Sequence, residues 1–305
     1  MTSIFPLRIP GLTTEPGDNR LRLRVHDKKD IVISKSIKEK NIWEPEETQF
    51  ILSVLNRGEI FLDIGANIGY FSVLASHLLG KEGIVYAFEP EIENYKLLLA
   101  NSTLNGKINI RCFQTALSDE DTLGFLYLNE ENLGDHQLFP VEEQREKIEV
   151  TIRKGDSLLL AMTSRVHFIK IDTQGAEFHV LSGLSKLIEQ SLPELVLLLE
   201  FWPRGLRQAG VSGLQLLELL SRFDLAFYIL KAGLLIPISR KILRQWIDIT
   251  NLDPLSDGFL NLICARPDRF PINGWRNLPI KSENPLHHLF AGISEELRKN
   301  IPGLE

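Results

Sequence analysis

Apolar and polar positions follow three different rhythms along this chain. The first is strict alternation, in RLRLRV at 20–25 and DIVISKS at 30–36. Alternation sends successive side chains to opposite faces, so both stretches predict half-exposed strands, forming a hairpin or small antiparallel flap within residues 1–42. The turn-rich TTEPGDN precedes them. From Pro45 the spacing becomes helical in PEETQFILSVLNRG. Proline stands in the first turn, acids follow it, Phe50, Ile51, Val54 and Leu55 share one face, and Gly58 is the stop.

A third rhythm, near-continuous apolar runs separated by helical ones, fills the middle of the chain. EIFLDIG (59–65), GIVYAFEP (83–90), NIRCFQTALSD (109–119), HFIKIDTQG (167–175) and ELVLLLEF (194–201) predict strands. NIGYFSVLASHLLG (67–80), EIENYKLLLANSTLNG (91–106) and AEFHVLSGLSKLIEQS (176–191) predict helices between them. Strands apolar on both faces and alternating with helices mean a parallel sheet covered on two sides, the doubly wound α/β class. The core of that sheet spans about 55–201, within a domain expected over 43–266.

Between 120 and 166 the rhythm breaks. TLGFLYLN and KIEVTIRKG alternate like paired strands around the polar EENLGDHQLFPVEEQ, which predicts an inserted antiparallel excursion with a loop at its tip. Long loops in compact domains are often functional. Beyond 201, LQLLELLSRF predicts a helix, while LAFYILKAG and GFLNLICAR predict strands. Residues 267–305 read as a tail, with PLHHLFAGISEELRKN (285–300) as an amphipathic helix.

Composition narrows the classes without choosing one. The 305 residues are 44% hydrophobic and 24% charged, enough to bury a large core. A net charge of -6 leaves no general footprint for nucleic acid or an anionic membrane, so neither is an expected partner. The two cysteines, Cys112 and Cys264, lack the spacing of a zinc site or a disulfide framework and fit a reducing compartment. No run approaches the roughly 18 apolar residues that span a bilayer. The expected location is cytoplasmic. No compact cluster of metal-ligand residues is visible, so no metal is expected.

The chemistry concentrates in EIFLDIGANIGYFSVLA (59–75), where a buried-type strand ends in an acid and enters a helix through a glycine-bearing turn. In open α/β sheets that edge is where ligands bind. Gly65 and Gly69 permit backbone angles and close approaches that a side chain forbids. Dinucleotide folds use G-x-G-x-x-G to seat a pyrophosphate, which Gly65-Ala66-Asn67-Ile68-Gly69 does not match, and Asp63 beside it would repel one. No phosphate loop of the G-x-x-x-x-G-K-[ST] kind occurs. An acid there instead attracts the amino group or sulfonium of S-adenosylmethionine. Glu89, at the end of the second strand, stands where a nucleoside-binding fold takes the ribose hydroxyls.

These residues resemble the FkbM type of class I S-adenosylmethionine-dependent methyltransferases. The resemblance covers about 43–201 and rests on WEPEETQFI, FLDIGANIGYFSVLAS, GIVYAFEPEIENYKLLLANSTLNG, TALSD, FIKIDTQGAEFHVLSG and ELVLLLEF in the family's order. It implies a mostly parallel, seven-stranded Rossmann-like sheet and S-adenosyl-L-methionine as cofactor. By the same resemblance, Asp63, Gly65, Asn67 and Gly69 line the methionine part, with Tyr70 and Phe71 closing the turn. Glu89, followed by Pro90, holds the ribose, and Ala116, Leu117, Ser118 and Asp119 border the adenine. Glu46 caps the amino-acid end, and Asp172 orients the ammonium or accepts a proton. The family's Asp-Val-Glu-Gly-Ala-Glu reads Asp172-Thr173-Gln174-Gly175-Ala176-Glu177 here, so a carboxylate has become an amide at Gln174.

The acceptor is less explicit. His136, in the excursion loop, is a candidate base near neutral pH, with Asn132 and Asp135 beside it as substrate contacts. Glu177 joins Asp172 and His136 as a catalytic candidate, and Glu200 and Trp202 after the last core strand are candidates for a substrate wall. The resemblance implies O-methylation of a sugar or natural-product hydroxyl, with N-methylation of a peptide or protein side chain as the alternative. Small-molecule, glycan or peptide acceptors all remain open, and the flap and the residues after 201 are candidates for a homodimer contact.

Overall fold

A computed structural model describes residues 3–12, 21–27, 30–107, 109–141, 144–231, 233–252 and 258–267. The expected tail helix at 285–300 lies outside them. At the N-terminus, β1 (Ser3–Pro6) pairs antiparallel with β2 (Arg22–Val25). The second strand expected there is instead a helix, α1 (Ile33–Lys40). Asp30 accounts for the difference: its carboxylate accepts backbone N–H bonds from Val32, Ile33 and Ser34 at 3.2, 3.2 and 2.6 Å. Satisfying the orphan donors of a first turn outweighs an alternating pattern only a few residues long.

α2 (Pro45–Val54) follows with proline in its first turn, as its spacing predicts. Then come β3 (Ile60–Ile64), α3 (Tyr70–Leu79), β4 (Ile84–Phe88), α4 (Ile92–Leu104) and β5 (Ile110–Phe113). α3 starts three residues later than its apolar pattern because Gly65, Asn67 and Gly69 all take positive φ, between 50° and 84°. Helical backbone cannot pass through left-handed residues. α4 is capped by Glu91, whose side chain accepts from the Asn94 N–H at 2.7 Å.

The strand expected over 109–119 splits in two. After β5 the chain turns at Thr115, whose hydroxyl donates to the Thr151 carbonyl at 2.9 Å, and β6 (Ala116–Ser118) leaves the main sheet. It joins β7 (Thr122–Tyr127) and β8 (Lys147–Lys154) in a three-stranded sheet of order β6-β8-β7, with β7 and β8 antiparallel. That sheet is the inserted excursion. α5 (Gly155–Leu159) leads back to β9 (Phe168–Ile171).

The single helix expected after β9 is also two, α6 (Glu177–Gly183) and α7 (Ser185–Ser191). A Cβ on Gly183 would lie 1.9 Å from the Ser118 carbonyl oxygen, so the break falls where helix and β6 meet backbone to backbone. β10 (Val196–Phe201), α8 (Pro203–Gln208), α9 (Gly213–Leu220), β11 (Ala226–Lys231), β12 (Leu234–Ile238), α10 (Arg240–Thr250) and β13 (Leu260–Ala265) complete the described elements.

The main sheet runs β12-β11-β13-β10-β9-β3-β4-β5. Five adjacent strands, β5 through β10, are parallel, and β13, β11 and β12 pair antiparallel at the far end. Among the described residues it has eight strands rather than the expected seven. The extra one, β12, closes a hairpin on β11 through the turn at Gly233, and its short run LLIPI carries a proline that hides it from pattern reading. Strand order reverses between β3 and β9. The chain winds from β3 outward through β4 and β5, then returns to start β9 on the other side of β3. At such a reversal the connections diverge and leave a crevice at the strands' carboxyl ends. Phe61 and Phe168 stack across β3 and β9, centroids 5.0 Å apart, and brace the sheet beneath it.

Candidate active site

A cavity of about 700 Å³ opens at that reversal. Its floor is the turn after β3. Gly65 at φ +81 brings backbone so close to β9 that a Cβ would sit 1.9 Å from the Asp172 carbonyl oxygen. Gly65, Asn67, Tyr70 and Phe71 line the cavity. Gly69 does not line it: it lets the Leu98 side chain pack against α3 instead, which a Cβ at 2.6 Å from Leu98 Cδ1 would prevent.

Asp63 also lies beneath the cavity wall. It is 1% exposed and accepts from Ser72 Oγ at 2.5 Å, and its strand partner in register is Lys170. Burial raises its pKa, against the pull of Lys170 and the Ser72 hydrogen bond. The acid expected to touch a ligand instead faces the helix packed on the sheet. Its charge still acts on the cavity, on Lys170, Glu44 and Glu89.

Glu89 is where the β4 pattern predicts, on the cavity wall beside Pro90. Its Oε2 accepts from the Asn67 N–H and its Oε1 from the Glu91 N–H, each at 2.8 Å. A carboxylate oxygen has room for a second donor, so each can also take one hydroxyl of a vicinal diol. Burial pushes its pKa up to about 8. Next to it, Phe88, Ala116 and Leu117 form an apolar slot that suits a flat heteroaromatic ring. Phe88 stacks on Phe113 at 5.0 Å. Ser118 and Asp119, expected to border the same ring, turn away: Asp119 pairs with His179 Nδ1 at 3.3 Å and accepts from Ser118 Oγ at 3.1 Å, outside the cavity.

On the other side of the floor, Glu44 lines the cavity and Glu46 does not. The difference is the cap position. Glu44 precedes Pro45 with φ 39, which turns it back over the sheet edge, whereas Glu46 is already in the helix. Burial, reinforced by Asp172, Glu47 and Asp63 and opposed by Lys170, pushes the Glu44 pKa up to about 8. Lys170 itself passed unnoticed in the sequence, although a lysine inside the apolar run FIKI is a signal. It is 5% exposed, lines the cavity, donates to Asp172 Oδ2 at 2.9 Å and lies 4.7 Å over the Phe71 ring. Burial works against its charge. Asp172, Glu44 and Asp63 outweigh that and hold its pKa above the ordinary lysine value.

The third wall gathers Asp172, Gln174, Glu200 and Trp202. The Gln174 amide Nε2 donates to Asp172 Oδ1 at 2.8 Å and to Glu200 Oε2 at 2.9 Å. Gln174 holds φ 52; with Glu44 and Asn67 it makes three left-handed side-chain-bearing residues on this one cavity. Such backbone clusters at functional sites. Burial, then the nearby Asp172 and Glu177 carboxyls, raise the Glu200 pKa well above its ordinary value.

Glu177, a catalytic candidate by sequence, does not reach the cavity. It is fully buried, and its Oε1 accepts from the Thr173 N–H, the Thr173 hydroxyl and the Gly175 N–H at 3.1, 3.0 and 3.2 Å. It shapes the turn that presents Gln174. Burial pushes its pKa up to about 7.

The excursion loop roofs the cavity. Asn132, Asp135 and His136 all line it, and each is committed to the loop itself: Asn132 Oδ1 accepts from the Gly134 N–H at 3.1 Å. Asp135 takes Arg145 Nη2 and Asn129 Nδ2 on Oδ2, each at 2.8 Å, and Gln137 Nε2 on Oδ1 at 2.9 Å. His136 Nδ1 accepts from the Asn129 N–H at 3.1 Å, so the neutral ring carries its proton on Nε2. Burial pulls its pKa down to about 4. The expected base is therefore a hydrogen-bond donor at neutral pH. The loop is tied down through the Leu133 carbonyl, which accepts from Asn67 Nδ2 at 2.9 Å and Asn94 Nδ2 at 3.1 Å.

Taken together, the wall holds a diol acceptor, an apolar slot, a glycine floor and a buried lysine among carboxyl groups. That donor set fits an adenosine carrying a zwitterionic tail. Among the described residues no group of three or more His, Cys, Asp or Glu is placed to hold a metal ion, and no helix is long and apolar enough to cross a membrane.

A family model described as Methyltransferase FkbM domain matches residues 63–224, just over half of the chain. No curated protein matches the sequence. Solved structures similar to this one include a protein of Streptococcus mutans described as a methyltransferase, in complex with SAH, at 12% identity and TM-score 0.42, covering 73% of this chain and 98% of that one. A precorrin-6y C5,15-methyltransferase from Geobacter metallireducens GS-15 has 12% identity and TM-score 0.41, covering 75% and 92%. A SAM dependent methyltransferase from Aquifex aeolicus has 16% identity and TM-score 0.38, covering 65% and 87%.

Proposed function

The chain belongs to the FkbM methyltransferase family and is an S-adenosylmethionine-dependent enzyme; on that premise we propose that it methylates a hydroxyl oxygen of a sugar or other natural product. The observation that carries this reading is the wall of Asp172, Gln174 and Glu200 beside Trp202. Acids and an amide next to an aromatic face suit a polyhydroxylated ring, whose hydroxyls pair with the former while its C–H face packs on the latter.

The cofactor supplies an electrophilic methyl group on a sulfonium. Holding the acceptor oxygen in line with that methyl accounts for much of the rate, so the protein's task is mainly positioning. Glu200, whose pKa burial raises, and the Gln174 amide oxygen hold the acceptor's neighbouring hydroxyls. Asp172, about a quarter exposed on the cavity wall, takes the proton that leaves the acceptor. His136 contributes a donor on Nε2 from the roof, and the loop tied to Asn67 and Asn94 keeps water from the reacting oxygen.

The test is a methyl-transfer screen with methyl-labelled cofactor against glycosides, polyketide alcohols and peptides, read by mass spectrometry. The expected product carries one methyl on oxygen of a hydroxylated acceptor. Labelled nitrogen on a peptide, with the alcohols untouched, would replace this reading by N-methylation.

A further inference from the structure

Lys170 is a buried cation that the transfer step above leaves unused. One of its three ammonium N–H donors goes to Asp172. The ammonium borders the cavity, and Asp63, Asp172 and Glu44 surround it closely enough to keep it charged. A lysine whose only task was to neutralise Asp172 would gain nothing from a place on the cavity wall, where its remaining donors lose bulk water.

The order of the strands says which part of a ligand it meets. Along β4, β3 and β9 the cavity presents Glu89, then the Gly65 turn, then Lys170, with the apolar slot of Phe88, Ala116 and Leu117 beside Glu89. Neighbouring strands are about 4.8 Å apart, so β9 lies roughly 10 Å from β4 across the glycine floor. A nucleoside with its ring in the slot and its diol on Glu89 therefore runs its 5′ substituent over Gly65 toward Lys170. The end of that substituent is an amino acid, with one carboxylate and one ammonium, and this corner holds one ammonium among carboxyl groups.

Resting on the cofactor assignment above, we propose that Lys170 binds the carboxylate of the cofactor's methionine end, with Glu44 facing its α-ammonium. Charge-assisted hydrogen bonds in a water-poor site are the strong ones. Glu44 comes from the residue before α2 and Lys170 from β9, so the two charges of the tail are read by different elements.

Calorimetry tests this with S-adenosylhomocysteine, its decarboxylated analogue S-adenosyl-3-thiopropylamine, and 5′-methylthioadenosine, on the wild type, Lys170→Met and Lys170→Arg. The wild type should prefer S-adenosylhomocysteine over the decarboxylated analogue by about tenfold or more, and Lys170→Met should reduce that preference to about twofold. Affinity for 5′-methylthioadenosine should stay within about twofold throughout. Lys170→Arg keeps the charge and should keep most of the preference. Equal wild-type affinity for the acid and its decarboxylated analogue would overturn the assignment, as would a Lys170→Met protein that keeps the full preference. If Lys170→Met does not fold, Lys170→Gln takes its place and is read the same way: a preference cut to about twofold supports the assignment, and the full preference kept overturns it. Failure of the wild type to bind any of the three ligands would instead refute the cofactor assignment.

Discussion

Gln174 and Glu200 meet through one amide group, whose Nε2 donates at 2.9 Å to Glu200 and at 2.8 Å to Asp172. A donor shared between two carboxyl groups fixes both without adding charge. Gln174→Ala should therefore lower methyl transfer by about tenfold to a hundredfold, measured with the acceptor found in the screen, while S-adenosylhomocysteine affinity stays within about threefold. Gln174→Glu can bridge the pair only when protonated. Its activity relative to the wild type should fall as pH rises from 6 to 8, and a flat ratio would remove the bridge from the mechanism.

Glu44 and Glu89 both have folded pKa values of about 8 against 4.5 in the unfolded chain. The folded protein thus holds more protons than the unfolded one between those values, and its stability falls as pH rises through that window. Below pH 6.5 the depressed His136 acts in the opposite sense, because its folded form resists the proton its unfolded form accepts. The clean interval is pH 6.5 to 8. Urea denaturation of the ligand-free protein should show a loss of stability across it, and Glu89→Gln should reduce that loss by about 1 kcal/mol.

His136 should not titrate in the physiological range. Nitrogen-resolved NMR of its ring should show the Nε2–H tautomer from pH 8 down to about 5, in keeping with a pKa of about 4. Protonation near pH 6.5, with a matching inflection in the rate, would restore it as the base.

Gly65 is held by geometry on two counts, a φ of +81 and a site where a Cβ would meet the Asp172 carbonyl oxygen at 1.9 Å. Both partners of that clash are backbone. Gly65→Ala should cost about 3 kcal/mol or more and show as a lower denaturation midpoint.

The parts of this site that are legible in the sequence are those set by local rules. Alternating strands and helices give the parallel sheet, and the acid at the end of β4 gives Glu89. What escapes notice depends on tertiary direction. Asp63 and Lys170 are opposite each other in register, yet the first turns inward to Ser72 and the second reaches the cavity. Glu44 and Glu46 differ only in lying before or after the proline that starts α2. Ser118 and Asp119 follow an apparent strand that leaves the sheet at Thr115 for a non-local pairing with β8. Asp30 makes a helix of a stretch whose own pattern is that of a strand. None of these directions is set by the period of apolar residues.

The central claim, that the Gly65 floor and Glu89 form the cofactor site, is tested most directly by calorimetry of S-adenosylhomocysteine with the wild type and Glu89→Ala. One site per chain is predicted in the wild type, with affinity lowered about tenfold or more in Glu89→Ala through loss of the diol contacts. A folded wild type that binds no S-adenosylhomocysteine, or a Glu89→Ala protein that binds it unchanged, would contradict the account.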